Sequence, residues 1–123
     1  MTNSKYPKTD KDWEITRLRR SECAVLPLVL EGRWYDMIAS GKKREEYRDA
    51  KAYWDVRLAK YLRSLDEGDK HPIVGFSRGY KRPDMFFTVR RVFKRTTALH
   101  EEWGEPNGDH HVISLGYRIE FRN

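Results

Sequence analysis

The sequence has little cysteine, no long apolar run and none of the glycine-rich signatures of phosphate cradles. Cys23 is its only cysteine, so neither an internal disulfide nor a paired-cysteine zinc site can form. The expected setting is a reducing one, a cytoplasmic protein with one free thiol. No stretch approaches the roughly 20 apolar residues of a membrane span. Residues 1–20 also lack the apolar core of a signal peptide, so no membrane association is expected. The patterns GxxxxGKS/T, GxGxxG and HExxH are absent, and with them the chemistries they carry. His71, His100, His110 and His111 share no ligand spacing. The neighbours His110 and His111 would point to opposite faces of a strand. We expect no metal and no cofactor.

What the chain does have is charge and aromatic area. Lys plus Arg number 25 against 19 Asp plus Glu, a net charge of +6. Basic domains attract phosphate-bearing partners. Four Trp, seven Tyr and five Phe can build a core, at about 150–250 Å² buried per ring. A length of 123 residues suits one domain. We assign residues 22–123 to it and residues 1–21 to a basic, flexible arm.

The pattern along the chain predicts an α+β fold. Ala24–Leu30 reads as a buried strand, kept near an edge by Pro27. Trp34, Tyr35 and Ile38 share one face of a short helix, closed by Gly41. Residues 44–49 suit an extended segment. Trp54, Leu58, Tyr61, Leu62 and Leu65 form the apolar stripe of a second helix. Strands are predicted from Pro72, over Met85–Phe93, and over His111–Phe121, with a bend or bulge at Gly116. A short helix is predicted near residues 99–103. Late strands joined by turns favour a small, mostly antiparallel sheet that curls into a barrel, with the two helices flanking a cleft.

The densest chemistry lies in GKKREEYR, residues 41–48. In an extended segment Arg44, Glu46 and Arg48 share one face, and Glu45 and Tyr47 the other. Lys43, Glu46 and Arg48 converging on a concave wall would suit an anionic ligand, with Arg48 offering a fork to phosphate. Lys43 can act as acid, base or clamp. Glu46 can act as a base or hold its neighbours in place. The same run also reads as a solvated, self-neutralising helix end. The residues alone leave both readings open.

Gly41, Lys43, Glu46 and Arg48 spell G-x-K-x-x-E-x-R, which resembles the motif of the ASCH domain family, of the PUA-like superfamily of small β-barrels. LPLVLEGRWYDMIASGKK, YWDVRL, FSRGY and HVISLGYRI resemble flanking blocks of short stand-alone, phage-like members. The likeness spans roughly Leu26 to Ile119. It implies a barrel whose cleft, beside the first helix, binds RNA or a modified nucleoside. Some members are ribonucleases on single-stranded RNA. Others are amidohydrolases that deacylate N4-acetylcytidine, pairing the motif lysine with a threonine three residues on. Here that position is Glu46, which argues against the amidohydrolase mechanism.

A metal-independent ribonuclease needs a base, an acid and positive charge at the phosphate. Lys43 and Glu46 are the catalytic candidates, with Tyr80 as a hydroxyl acid. Arg48 supplies charge and Ser114 a phosphate contact. A second feature is the run from residue 78 to residue 95, with seven cations against Asp84. Phosphate contacts are expected from Arg78, Lys81 and Arg82, and base stacking from Tyr80. Phe86, Phe87 and Phe93 read better as core, as does Trp54. Arg57 points either to the cleft or to a surface ion pair. The expected function is binding of single-stranded RNA or a modified nucleoside, with metal-independent ribonuclease activity as its extension in the same cleft. The alternatives are the amidohydrolase and a non-catalytic protein-interaction module.

Overall fold

The run CAVLPLVL alternates its side chains between two faces, and the chain order that follows builds a sheet around it. The computed structural model describes residues 15–122. Its elements are β1 (Thr16–Arg19), β2 (Cys23–Leu30), α1 (Gly32–Ala39), β3 (Glu45–Asp49), α2 (Ala52–Gly68), β4 (His71–Arg78), β5 (Met85–Arg95) and β6 (His110–Arg122). Single 3-10 turns lie at Arg20–Glu22 and Glu101–Trp103. Among the described residues no helix is long and apolar enough to cross a membrane.

The six strands form one mixed sheet in the order β1-β6-β5-β4-β2, with β3 also paired to β6. The late strands β4, β5 and β6 are antiparallel, as turns between neighbours require. β2 and β4 run parallel, joined by the long crossover through α1, β3 and α2. β1 runs parallel to β6. Thr16–Arg19, assigned to the arm from sequence, is therefore strand; residues 1–14 lie outside the described residues.

The expected barrel is corrected. β2 and β3 do not pair, so the sheet stays open along the seam between them. Pro27 has no N–H to give to a ladder there. Two side chains occupy that edge instead. Arg48 donates to the Val29 carbonyl at 2.9 Å, and Arg57 donates to the Pro27 carbonyl. Such plugging also blunts an edge that would otherwise recruit another strand.

The core lies between the sheet and the helices. Leu26, Leu28 and Leu30 of β2 meet Val74 and Phe76 of β4, Ile38 of α1, and Leu58 and Tyr61 of α2. Each fully buried large side chain of this set contributes on the order of 1.5–3 kcal/mol. A smaller cluster holds Leu18, Cys23, Ile73 and Ile119. The bend expected at Gly116 is a paired irregularity in the β5–β6 register. A Cβ there would stand 2.2 Å from the Thr88 hydroxyl oxygen. That hydroxyl accepts the Tyr117 amide at 2.7 Å, replacing the ladder bond the bulge removes.

Candidate ligand site in the open seam

The end of α1 decides where the motif lysine goes. Gly41 adopts φ +82, which suits glycine. The amides of Gly41 and Lys42 reach back to the carbonyls of Ile38 and Met37 at 3.1 and 3.0 Å, a Schellman closure. The Lys43 amide also returns to Met37 at 3.1 Å. The chain thus turns inward, and the Lys43 side chain ends 1% exposed.

Its ammonium sits in an aromatic and carbonyl cage. It donates to the Trp103 carbonyl at 2.6 Å and lies 3.5 Å from Glu46 Oε1. The Tyr47 and Trp34 ring centres are 4.4 and 5.2 Å away. Both rings present their negative faces to the cation. Burial pulls the Lys43 pKa below its ordinary value, and the Glu46 carboxylate opposes that shift.

β3 alternates as the spacing predicts. Glu46 and Arg48 meet on one face, with Arg48 NH2 2.7 Å from Glu46 Oε2. Glu45 and Tyr47 meet on the other, the Tyr47 hydroxyl donating to Glu45 at 2.9 Å. Glu46 therefore joins Lys43 to Arg48 in one chain of charges. Of these three, Arg48 lines the cavity in the open seam, and Lys43 and Glu46 do not.

That cavity, about 400 Å³, fills the seam left by the unclosed sheet. Its floor is the β2 edge at Pro27, Leu28 and Val29. Tyr53, Trp54 and Arg57 of α2 form one wall, and Arg48 of β3 another. Ser77, Tyr80, Lys81 and Pro83 supply the β4–β5 side. Tyr80 is 97% exposed and Tyr53 65% exposed. The Arg48 and Arg57 guanidinium carbons lie 4.8 and 5.0 Å from the Trp54 ring centre. The first turn of α2 is held by Asp55, whose carboxylate lies 2.6 Å from His111 Nε2 and 3.8 Å from Lys94. Lys81 pairs with Asp84 at 3.5 Å. A hydrogen bond from Tyr35 at 2.7 Å pulls the Asp84 carboxyl below its ordinary pKa.

Four of the candidate residues thus come together in one cavity: Arg48, Arg57, Tyr80 and Lys81. Lys43 and Glu46 stand behind Arg48. Arg78 turns elsewhere, to Asp36 at 3.4 Å, with its guanidinium over Gly32. Arg82 is exposed and Ser114 sits in β6 opposite Glu45; neither lines the cavity. Trp54 packs against the core and lines the cavity at once.

A buried polar cluster behind the site has no sequence signature. Glu105 Oε1 accepts the amides of Leu99 and His100 at 2.7 and 2.9 Å. Its Oε2 takes Arg95 and His110, both at 2.7 Å. Arg95 also forks onto Glu45 at 3.0 and 3.2 Å. Burial by itself raises the Glu105 pKa, but the bonds from His110, Arg95 and the two amides outweigh it and hold it at about 2. This carboxylate pins the loop whose Trp103 carbonyl caps Lys43. Among the described residues no three His, Cys, Asp or Glu side chains cluster as metal ligands would. Glu105 carries no signal in the sequence because it lies in a Glu-Pro-Asn-Gly turn, where a solvated role is the common one.

No protein-family model, curated protein or solved structure matches the chain.

Proposed function

We propose that this chain is a nucleic-acid-binding domain of the ASCH kind, holding single-stranded RNA or a nucleoside in the seam cavity. The observation that carries the reading is the convergence of Arg48, Arg57 and Lys81 with the exposed rings of Tyr53 and Tyr80 around one opening. Cations meet phosphates, and exposed rings accept unpaired bases. Among the described residues no carboxylate lines the cavity.

Binding fits the geometry better than cleavage does. Lys43 is enclosed, and both oxygens of Glu46 are engaged, by Lys43 and by Arg48. Neither group is free to move protons at a phosphate held in the cavity. The same engagement of Glu46 argues against a nucleophile at this position of the motif.

The test is titration of labelled single-stranded RNA and of nucleosides in chelator, with product analysis after long incubation. Two to three phosphate contacts predict that log K falls with log salt at a slope of about −1.4 to −2.1. Arg57→Gln and Tyr80→Ala should each weaken binding. A chain with no affinity for RNA or nucleosides would be a protein-interaction module instead. Shortened RNA, absent with Lys43→Ala, would make it a ribonuclease.

A further inference from the structure

The charge, shape and donors of the seam cavity narrow the ligand beyond RNA in general. We propose that the cavity takes a nucleotide bearing a phosphomonoester, either a free mononucleotide or the phosphorylated end of a strand. This rests on the nucleic-acid reading above.

Charge at the cavity favours a doubly charged group. Arg48, Arg57 and Lys81 line the cavity. Behind them, Glu46 binds Arg48 and Lys43, and Asp84 pairs with Lys81. Four cations against two carboxylates leave +2. An internal phosphodiester brings one negative charge. A phosphomonoester brings about 1.5 to 2 near neutral pH, with three terminal oxygens. The monoester matches the site and the diester leaves it unbalanced.

The donors are already in place. The Val29 and Pro27 carbonyls hold the Arg48 and Arg57 guanidinium groups against the β2 edge. Ordering them before a ligand arrives lowers the entropic cost of binding. Arg48 Nε is buried and has no hydrogen-bond partner. A buried donor left in this state is costly, and a phosphate oxygen would satisfy it if the Arg48 head shifted toward the ligand. Arg57 has no carboxylate within ion-pair distance among the described residues, so its charge is available.

The size of the cavity also limits the ligand. About 400 Å³ lies at the small end of ligand sites. It accommodates one nucleotide unit, so any further chain must leave across the rim. The Trp54 ring already packs with two guanidinium groups. The base is left to Tyr80 and Tyr53 at the opening.

The experiment compares cytidine, CMP and inorganic phosphate, together with a hexameric RNA carrying a 5′-phosphate, a 3′-phosphate or neither. At roughly 50 mM salt, CMP should bind at least about tenfold tighter than cytidine. One end-phosphorylated hexamer should exceed the unphosphorylated one by a similar factor. Whether CMP or a hexamer end wins identifies the source of the phosphate. In Arg57→Gln the phosphate-dependent gain should vanish. Tyr80→Ala alters an exposed side chain and is the safeguard against misfolding. It should weaken CMP by about tenfold and leave inorganic phosphate unchanged. Hexamer binding indifferent to its ends, or CMP no better than cytidine, overturns the proposal and leaves the RNA reading standing. Inorganic phosphate binding as tightly as CMP overturns the nucleotide part. Failure of every probe to bind overturns both readings.

Discussion

Replacing Glu105 by alanine removes the one acceptor shared by four donors. Two are backbone amides, Leu99 and His100, and two are side chains, Arg95 and His110. The carboxylate is 0% exposed, so water does not step in. Arg95 keeps Glu45, which limits the loss. Breaking a buried charged pair from one side costs about 3–5 kcal/mol, and the orphaned amides add to it. We expect Glu105→Ala to lose about 4 kcal/mol, a large part of a typical total of roughly 5–15. Glu105→Gln should rescue little despite its shape. Each carboxylate oxygen takes two donors, and whichever way the amide turns, its NH₂ faces two of them.

The pH dependence carries the same logic. The folded Glu105 pKa of about 2 lies below the ordinary value of 4.5. Its stabilisation is therefore complete above pH 4.5 and is lost as pH falls toward 2. A depression of this size corresponds to roughly 3 kcal/mol. Urea unfolding at pH 7 and at steps down to pH 2.5 measures both effects. The wild-type chain should lose stability in acid more steeply than Glu105→Gln, because the variant has no such group to protonate. A Gln variant within about 1 kcal/mol of wild type at pH 7, or identical acid slopes, would mean that the Glu105 charge does not hold this loop.

Other consequences are more local. Gly104 has φ +79, and a Cβ there would stand 2.5 Å from a Trp34 ring carbon; Gly104→Ala should cost about 1–3 kcal/mol and shift Trp fluorescence. Lys43→Met removes a caged ammonium and should destabilise by roughly 3 kcal/mol, while the folded fraction still binds CMP, weakened only by the loss of one charge behind the cavity. Loss of binding as complete as in Arg57→Gln would contradict the placement of Lys43 behind the cavity. Because burial lowers the Lys43 pKa, the unfolded chain holds that proton more readily. Wild-type stability should thus gain, relative to Lys43→Met, as pH rises toward 10.5. Cys23 is 7% exposed, and burial raises its pKa. Ellman's reagent should react with it only in denaturant, and fast native labelling would show that β2 opens.

Local pattern carried far in this chain. The strands beginning at Cys23, Met85 and His110, the Trp54–Leu58–Tyr61 stripe and the Gly41 closure were legible because each depends on neighbours in sequence. The alternation of Glu46 and Arg48 against Glu45 and Tyr47 was legible for the same reason. The seam was not. Closure of a sheet depends on whether two distant edges meet, and here Arg48 and Arg57 fill the edge of β2. The role of Trp54 was divided likewise. Its stripe position announces core, yet its ring also walls the cavity, because α2 lies across the open seam.

The excess charge has a different meaning in the folded chain than in the linear one. The segment from residue 78 to residue 95 carries seven of the cations, and a run so basic reads as a docking strip. Folding assigns most of them to carboxylates: Arg78 to Asp36, Lys81 to Asp84, Lys94 to Asp55, and Arg95 to Glu45 and Glu105. Among the described residues Arg82, Arg90 and Arg91 have no such partner, and Arg91 lies over the Phe93 ring. The strip is thus weaker than its composition. Charge available to a ligand gathers instead at the seam, where, among the described residues, Arg57 has no carboxylate partner and Arg48 retains a buried donor without a hydrogen bond. Binding should therefore respond more to Arg57 than to Arg90 or Arg91, although all three contribute one positive charge to the sequence.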